Sequence, residues 1–202
     1  MPLQAFGNAK TTRNNNSSRF GRYALVQFSA DYEVVGAQIR VFLLERSRVT
    51  STANKGERAY HSMYQVVKGG AGKYLADGSP EAYHYLNMSA CYDVPDMDDS
   101  EDFSEVSKAL ESVGVSPVEV GHIWSFMAAM LLLGNISFGS SDVASVQDDT
   151  PMKKAQARTS SSRAHQPIGW SSGAQQALSS KQQWGCIIDP FMIDKSSCPH
   201  PP

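Results

Sequence analysis

The sequence is 202 residues long, 41 % hydrophobic and 19 % charged, which allows one packed domain with a tail and excludes global disorder. A formal net charge of -2 gives no electrostatic ground for DNA, RNA or an anionic membrane as a partner. No apolar run approaches the roughly 20 residues a membrane span needs; Met127 to Leu133 is the longest dense stretch, and Met1-Pro2-Leu3-Gln4 lacks the charged start of a secretory signal. Cys91, Cys186 and Cys198 are few and odd in number, which fits free thiols in a reducing cytosol and predicts an intracellular protein.

A polar loop, Asn8 to Ser18, opens the patterned part of the chain. From Arg22 to Ser29, Tyr23, Leu25 and Gln27 alternate with Ala24, Val26 and Phe28, the period of a strand. A turn at Asp31 and a second run, Glu33 to Leu44, complete a predicted β-hairpin with a bulge at Gly36. Tyr60, Met63, Tyr64 and Val67 then share one face of a helix that stops at Gly69-Gly70.

Two further helices carry clear end signals. Asp98, with Glu101 three residues on, starts one whose stripe is Phe103, Val106, Leu110 and Val113, and Gly114 ends it. Ser116-Pro117-Val118-Glu119 starts the other with a cap, a proline at the first helical position and a closing acid. Between Ile123 and Leu133 this helix is apolar almost all round, so it needs cover on several sides, part of it expected from outside this chain. Beyond Gly139 the pattern stops: Ser, Gln, Ala, Lys and Arg dominate, and residues 139–202 read as a low-complexity, disordered, solvated tail.

The segment with chemical content is Phe6 to Gly21. Short hydroxyls and amides flanked by cations and glycines suit phosphate oxygens and Mg²⁺; the same composition suits an Asx/Ser-rich turn that satisfies its own backbone. His61, His84, His122, His165 and His200 have no metal-ligand spacing with one another or with the cysteines. The acidic run Asp96 to Asp102 lacks the glycine and terminal glutamate of a calcium loop and reads as a solvated, charged helix start.

Order along the chain narrows the choice. Asn8-Ala9-Lys10-Thr11-Thr12-Arg13-Asn14-Asn15-Asn16-Ser17-Ser18-Arg19-Phe20-Gly21-Arg22 resembles switch I of the myosin motor (head) domain almost position for position. Val41 to Val49 is similar to the second transducer strand and the basic stretch after it, and Glu57 to Gln65 to the next helix of that family. Tyr83-His84-Tyr85-Leu86-Asn87 and the helix ending Leu133-Gly134-Asn135-Ile136-Ser137-Phe138 match as well, in the same order.

The resemblance implies an α/β fold: a partial P-loop NTPase-type myosin head over residues 1–138, with a transducer-like β-hairpin plus helices, marginally stable without its sheet neighbours. It implies ATP and Mg²⁺ as cofactors, the actin filament and the remainder of a motor head as partners, and a cytoplasmic, cytoskeleton-associated setting. Residue by residue, Ser18 is the Mg²⁺-ligating hydroxyl, Ser17 supports the attacking water, Asn14 bonds phosphate oxygens and Asn8 adds a polar contact. Arg19 closes the site by pairing with a switch II glutamate.

Two family elements are not in the sequence. The nearest approach to a P-loop, Gly69-Gly70-Ala71-Gly72-Lys73-Tyr74, has Val67 where the first glycine belongs, Tyr74 in place of Ser or Thr, and a helix before it; it reads as a helix-ending loop. No Asp-x-x-Gly-x-Glu of switch II occurs, so Arg19 is expected to lack a partner here. The expectation is a chain inactive by itself, with a non-catalytic interaction module and a truncated gene product as the other readings.

Overall fold

The computed structural model describes residues 2–50, 54–139 and 145–160. A short helix α1 (Pro2–Gly7) leads into strand β1 (Asn8–Ala9), which pairs antiparallel with β2 (Ser17–Ser18). Strands β3 (Gly21–Phe28) and β4 (Val34–Phe42) form a second antiparallel pair. A helical turn α2 (Ser47–Thr50) precedes α3 (His61–Lys68) and α4 (His84–Asn87), and then α5 (Asp99–Ser112), α6 (Pro117–Gly134) and α7 (Thr150–Ser160). The result is a mixed α/β piece in which helices carry the core.

The β3–β4 hairpin matches the alternation in its sequence. Ser29 makes the turn: its Oγ accepts from the amides of Asp31 and Glu33, both at 3.2 Å, and Tyr32 takes a positive φ of 63°. Register runs from Gly21 opposite Phe42 to Gln27 opposite Gly36, then skips Val35 so that Phe28 faces Val34. The bulge thus sits at Val35, one residue before the glycine that signals it. Tyr23, Leu25, Val26, Phe28, Val34 and Ile39 are all exposed, so neither face of this ribbon is packed.

The core is built on α3. The spacing of its apolar residues predicts one buried face; in fact His61 through Val67 are all buried, because α1, α5, α6 and the segment around Pro80 surround it. Trp124 of α6 is fully buried, stacks on Phe6 at 5.7 Å, meets Phe103 in a tilted contact at 4.6 Å, and donates from Nε1 to Ser107 Oγ at 2.9 Å. Both helix starts form as their sequences dictate. Asp98 accepts from the amides of Ser100 and Glu101, and Ser116 and Glu119 complete a reciprocal capping box. Val113 departs from the expected α5 stripe: it is exposed, because the helix has already ended at Ser112 and Gly114 turns the chain with a φ of 96°.

The composition of residues 139–202 predicts a tail without structure, yet residues 150–160 form α7. Asp148 accepts from the Thr150 amide at 2.8 Å, which starts the helix, and Ala155 packs with Ala129, Leu133 and Ile136. Composition conceals this because α7 contributes only Met152 and Ala155 and relies on the apolar side of α6 for the rest. It thereby supplies, from within the chain, cover that α6 was expected to need from outside. Residues 161–202 lie outside the described residues. With 18 residues and a mean hydropathy of 1.3, α6 is long and apolar enough to cross a membrane by length and composition alone, while its Trp124, Ala128 and Leu131 are fully buried against the other helices.

Candidate functional site

The loop from Asn8 to Arg19 is a small closed hairpin. Asn8 faces Ser18 and Ala9 faces Ser17 at its base, and below them the Arg19 amide donates to Gly7 O at 2.9 Å. Gly7 is required there: a Cβ would run into the Phe20 ring that folds over it. At the tip, Thr11 N donates to Asn14 O at 2.8 Å, Asn14 N donates to Thr11 Oγ1 at 3.1 Å, and Asn16 N donates to Asn14 Oδ1 at 2.8 Å. Both sequence readings of this segment therefore have a place. The tip is an Asx/Ser-type turn that satisfies its own backbone, and it holds the flanking hydroxyls in a fixed arrangement.

The five residues singled out from sequence occupy different positions in this hairpin. Ser18 is exposed on β2, and Ser17 beside it is half-buried, its Oγ accepting from Arg19 Nη1 at 3.2 Å. Asn14 is exposed, with its side-chain oxygen engaged in the turn. Asn8 lies beneath the loop, buried, and donates from Nδ2 to Asn16 Oδ1 at 2.9 Å, while its own Oδ1 is buried without a partner. Among the described residues no group of three or more His, Cys, Asp or Glu could hold a metal ion. Ser18 Oγ is a hard oxygen donor of the kind Mg²⁺ accepts, as one ligand among several.

Arg19, expected to have no partner, has one. Its Nε donates to Glu45 Oε2 at 2.5 Å. The reason is topological: β3 and β4 run out and back, so residue 45 returns beside residue 19, and the Glu45 amide donates to Arg19 O at 3.0 Å. Glu45 also accepts from Arg48 Nε at 2.9 Å, and Arg48 Nη1 meets Glu57 Oε2 at 2.6 Å. Glu57 in turn receives the Thr12 amide at 3.4 Å, at the far side of the loop. Burial alone would push the Glu45 carboxyl up, but the bonds from Arg19 and Arg48 outweigh it and hold it below the ordinary range. Glu57 behaves alike: burial opposes its charge, and Arg48 and Asn54 prevail.

The outer edge of the loop is tied to the core. Arg58 N donates to Lys10 O at 3.0 Å, Ala9 bridges to Tyr60, and Lys10 Nζ donates to Gly56 O at 2.6 Å. The Arg58 side chain points the other way, wholly buried, to Asp99 at 2.7 Å, with its guanidinium 3.7 Å from the Tyr64 ring centre. Asp99 also receives Lys68 at 3.1 Å. The acidic run at the start of α5 is thus only partly the solvated end its composition suggests: Asp98 caps the helix, and Asp99 is a buried counter-ion. Beside it His61 is buried with no partner on either ring nitrogen, and burial, helped by the Arg58 charge, lowers its pKa to about 4.

Sequence reasoning missed Glu45, Arg48, Glu57, Arg58 and Asp99. The available signal was the i, i+3 spacing of Glu45 and Arg48 and the adjacency of Glu57 and Arg58. The run Gly69 to Tyr74 is the helix-ending loop its sequence predicts, with the Gly69 amide closing α3 onto Gln65 O at 2.8 Å.

Comparison with known proteins agrees with this architecture. The family model for the myosin head (motor domain) matches residues 2–166. The chain is 45 % identical over 143 residues to the myosin IB heavy chain of Dictyostelium discoideum, covering 69 % of this chain and 13 % of that protein. It is 43 % identical over 155 residues to myosin-14 of Arabidopsis thaliana, covering 73 % of this chain and 10 % of that one. Myosin-1 of Emericella nidulans is 43 % identical over 143 residues, covering 69 % of this chain and 11 % of its own length. The chain therefore spans between a tenth and a seventh of the length of these relatives. With a family match across most of its length, the chain belongs to the myosin head (motor domain) family.

Proposed function

We propose that the chain is the nucleotide-sensing part of an ATP-driven motor that moves on actin filaments, and that these 202 residues alone do not hydrolyse ATP. The observation that supports this reading is the closed hairpin of residues 8–19, which displays Ser17 and Ser18 at its base and Asn14 at its tip, with Arg19 at its exit. A bound magnesium nucleotide supplies the phosphoryl group and its charge neutralisation. Ser18 Oγ takes one metal position, Ser17 orients water through its hydroxyl and backbone, and Asn14 bonds phosphate oxygens. Asn8 braces the loop from below and adds a polar contact. Arg19 acts as the latch, because a guanidinium that grips a carboxylate with two nitrogens can hold a loop in one of two positions. The setting is cytoplasmic and cytoskeletal.

Two measurements test this. Phosphate release by the full chain, with and without actin filaments, should equal that of a Ser18→Ala control; release above the control overturns the inactivity of the isolated chain. A chimera carrying residues 8–50 in the Dictyostelium myosin IB heavy chain should keep actin-activated ATPase and lose about 100-fold on Ser18→Ala. A chimera indifferent to Ser18→Ala sinks the nucleotide-sensing role.

A second reading, a non-catalytic interaction module, is favoured by one observation, the exposed apolar side chains on both faces of the β3–β4 hairpin. The case for α6 as a free apolar surface is weaker, since α3, α5 and α7 pack on it.

A further inference from the structure

Four charged side chains form a continuous chain of ion pairs around the 8–19 loop: Arg19–Glu45 at 2.5 Å, Glu45–Arg48 at 2.9 Å and Arg48–Glu57 at 2.6 Å. It meets the loop twice. Arg19 is the exit residue, and Glu57 accepts the Thr12 amide near the tip. Glu45 is the only node held by two guanidiniums through one oxygen, Oε2, and its other oxygen accepts from Ser47 Oγ at 3.0 Å. Its main chain belongs to the same structure: Glu45 N donates to Arg19 O, and Glu45 O accepts from the Tyr60 hydroxyl at 2.6 Å.

We propose that Glu45 is a positioning residue that clasps the loop, its carboxylate holding Arg19 in place so that the loop moves only when this ion pair is broken. This rests on the reading of residues 8–19 as a nucleotide-sensing loop, and it adds a control element that the loop itself lacks. Arg19 and Glu45 are each close to 30 % exposed, so the pair is accessible to water and can exchange. Arg48 is largely buried between Glu45 and Glu57 and serves as the fixed post. A competing carboxylate presented to Arg19 then has to displace Glu45 rather than find a free guanidinium. Motion of the loop is thereby coupled to Glu45, Arg48 and Glu57, whose carboxylate at the far end of the chain accepts the Thr12 amide near the loop tip.

The test is amide hydrogen exchange on the full chain with no nucleotide present. Glu45→Gln keeps the shape and removes the charge. Its amides between residues 9 and 19 should exchange at least tenfold faster than in the unmodified chain, with α3 and α6 unchanged. Glu45→Asp, which keeps the charge, should regain at least half of the lost protection. Loop amides that do not respond to Glu45→Gln overturn the proposal. So does acceleration of α3 and α6 equal to that of the loop, which marks Glu45 as a general stability element. If Glu45→Gln does not fold, the unmodified chain is read as pH falls: the loop should lose protection as Glu45 protonates, below the usual carboxylate range and ahead of α3. Loss of both together overturns the clasp. Because exchange is measured without nucleotide, a failed clasp and a failed nucleotide-sensing loop are distinguishable; the chimera above reports only the latter.

Discussion

Arg19 and Glu45 stand 26 residues apart in sequence and 2.5 Å apart in space, brought together because β3 and β4 return the chain to its starting point. This pair changes what the loop is when it stands alone. The guanidinium at its exit is not an idle cation but one end of a chain of ion pairs that runs to Glu57 and back to the Thr12 amide. Four expected outcomes follow from other contacts in the same region.

The buried pair Arg58–Asp99 is asymmetric. Asp99 has a second cation, Lys68, whereas Arg58 has Asp99 as its ion-pair partner and leaves Nε and Nη1 unbonded. Asp99→Asn strands a fully buried guanidinium and should cost about 3–5 kcal/mol. Arg58→Met leaves Asp99 with Lys68 and should cost clearly less. Urea unfolding midpoints check the order; equal losses would show that Lys68 gives Asp99 no support.

His61 makes stability depend on pH. Its pKa is about 4 in the folded chain against an ordinary 6.5, so the unfolded chain binds the proton more readily. Stability from this group is complete above 6.5 and is lost as pH falls through 6.5 toward 4. The gap corresponds to roughly 3 kcal/mol at most. Above about pH 5.5 the carboxyls of Glu45 and Glu57 are charged in the folded and the unfolded chain alike and add little to the slope. Asp102, pushed up by burial and the neighbouring acids, contributes with the opposite sign, so the loss of stability between about pH 6.5 and 5.5 reads His61. His61→Gln should flatten it; a slope that persists in this variant assigns the effect elsewhere.

The attachment of α7 rests on Ala155, which is buried against Ala129, Leu133 and Ile136. Ala155→Asp places a carboxylate in that apolar contact and should release α7 at a local cost of about 2–3 kcal/mol. Protease cleavage within residues 145–160 should accelerate while α3 stays protected. Unchanged cleavage would mean that α7 is held by its other contacts, such as Arg158 Nη1 donating to Lys73 O at 2.9 Å.

Gly7 approaches the Phe20 ring more closely than any Cβ allows. Gly7→Ala must displace Phe20 and with it the neighbouring Arg19, and should destabilise by about 1–3 kcal/mol. Paired with Phe20→Leu, most of the loss should return. Thermal unfolding of the two single variants and the double reads the coupling directly; additive losses would place the strain elsewhere.

Local signals in the sequence were sufficient for the elements whose causes are local. The hairpin follows from alternation and a turn, α5 and α6 from their caps, and the loop from an ordered run of amides and hydroxyls between Asn8 and Ser18. What escaped was whatever depends on partners distant in sequence. Asp99 looks like part of a charged helix end until Arg58 is folded against it from 41 residues away. His61 carries no sign of burial, since its own helix shows only one apolar stripe and the other side is covered by elements far along the chain. The helix α7 has too little apolar surface to be recognised alone, and gains its stability from a groove that another helix presents.

The two-sided exposure of the β3–β4 ribbon has a consequence for its pairing. Sheets hold their alignment because sliding one strand by a residue moves its apolar side chains out of a core into water. Here both sides are wet, so that penalty is missing, and a slide simply exchanges one exposed row for another. Within the ribbon, the Ser29 turn and the skipped Val35 keep Gly21 opposite Phe42. The alignment that leads the chain from Arg19 back to Glu45 is thus set in large part at the far end of the ribbon, about ten residues along each strand from the pair it serves.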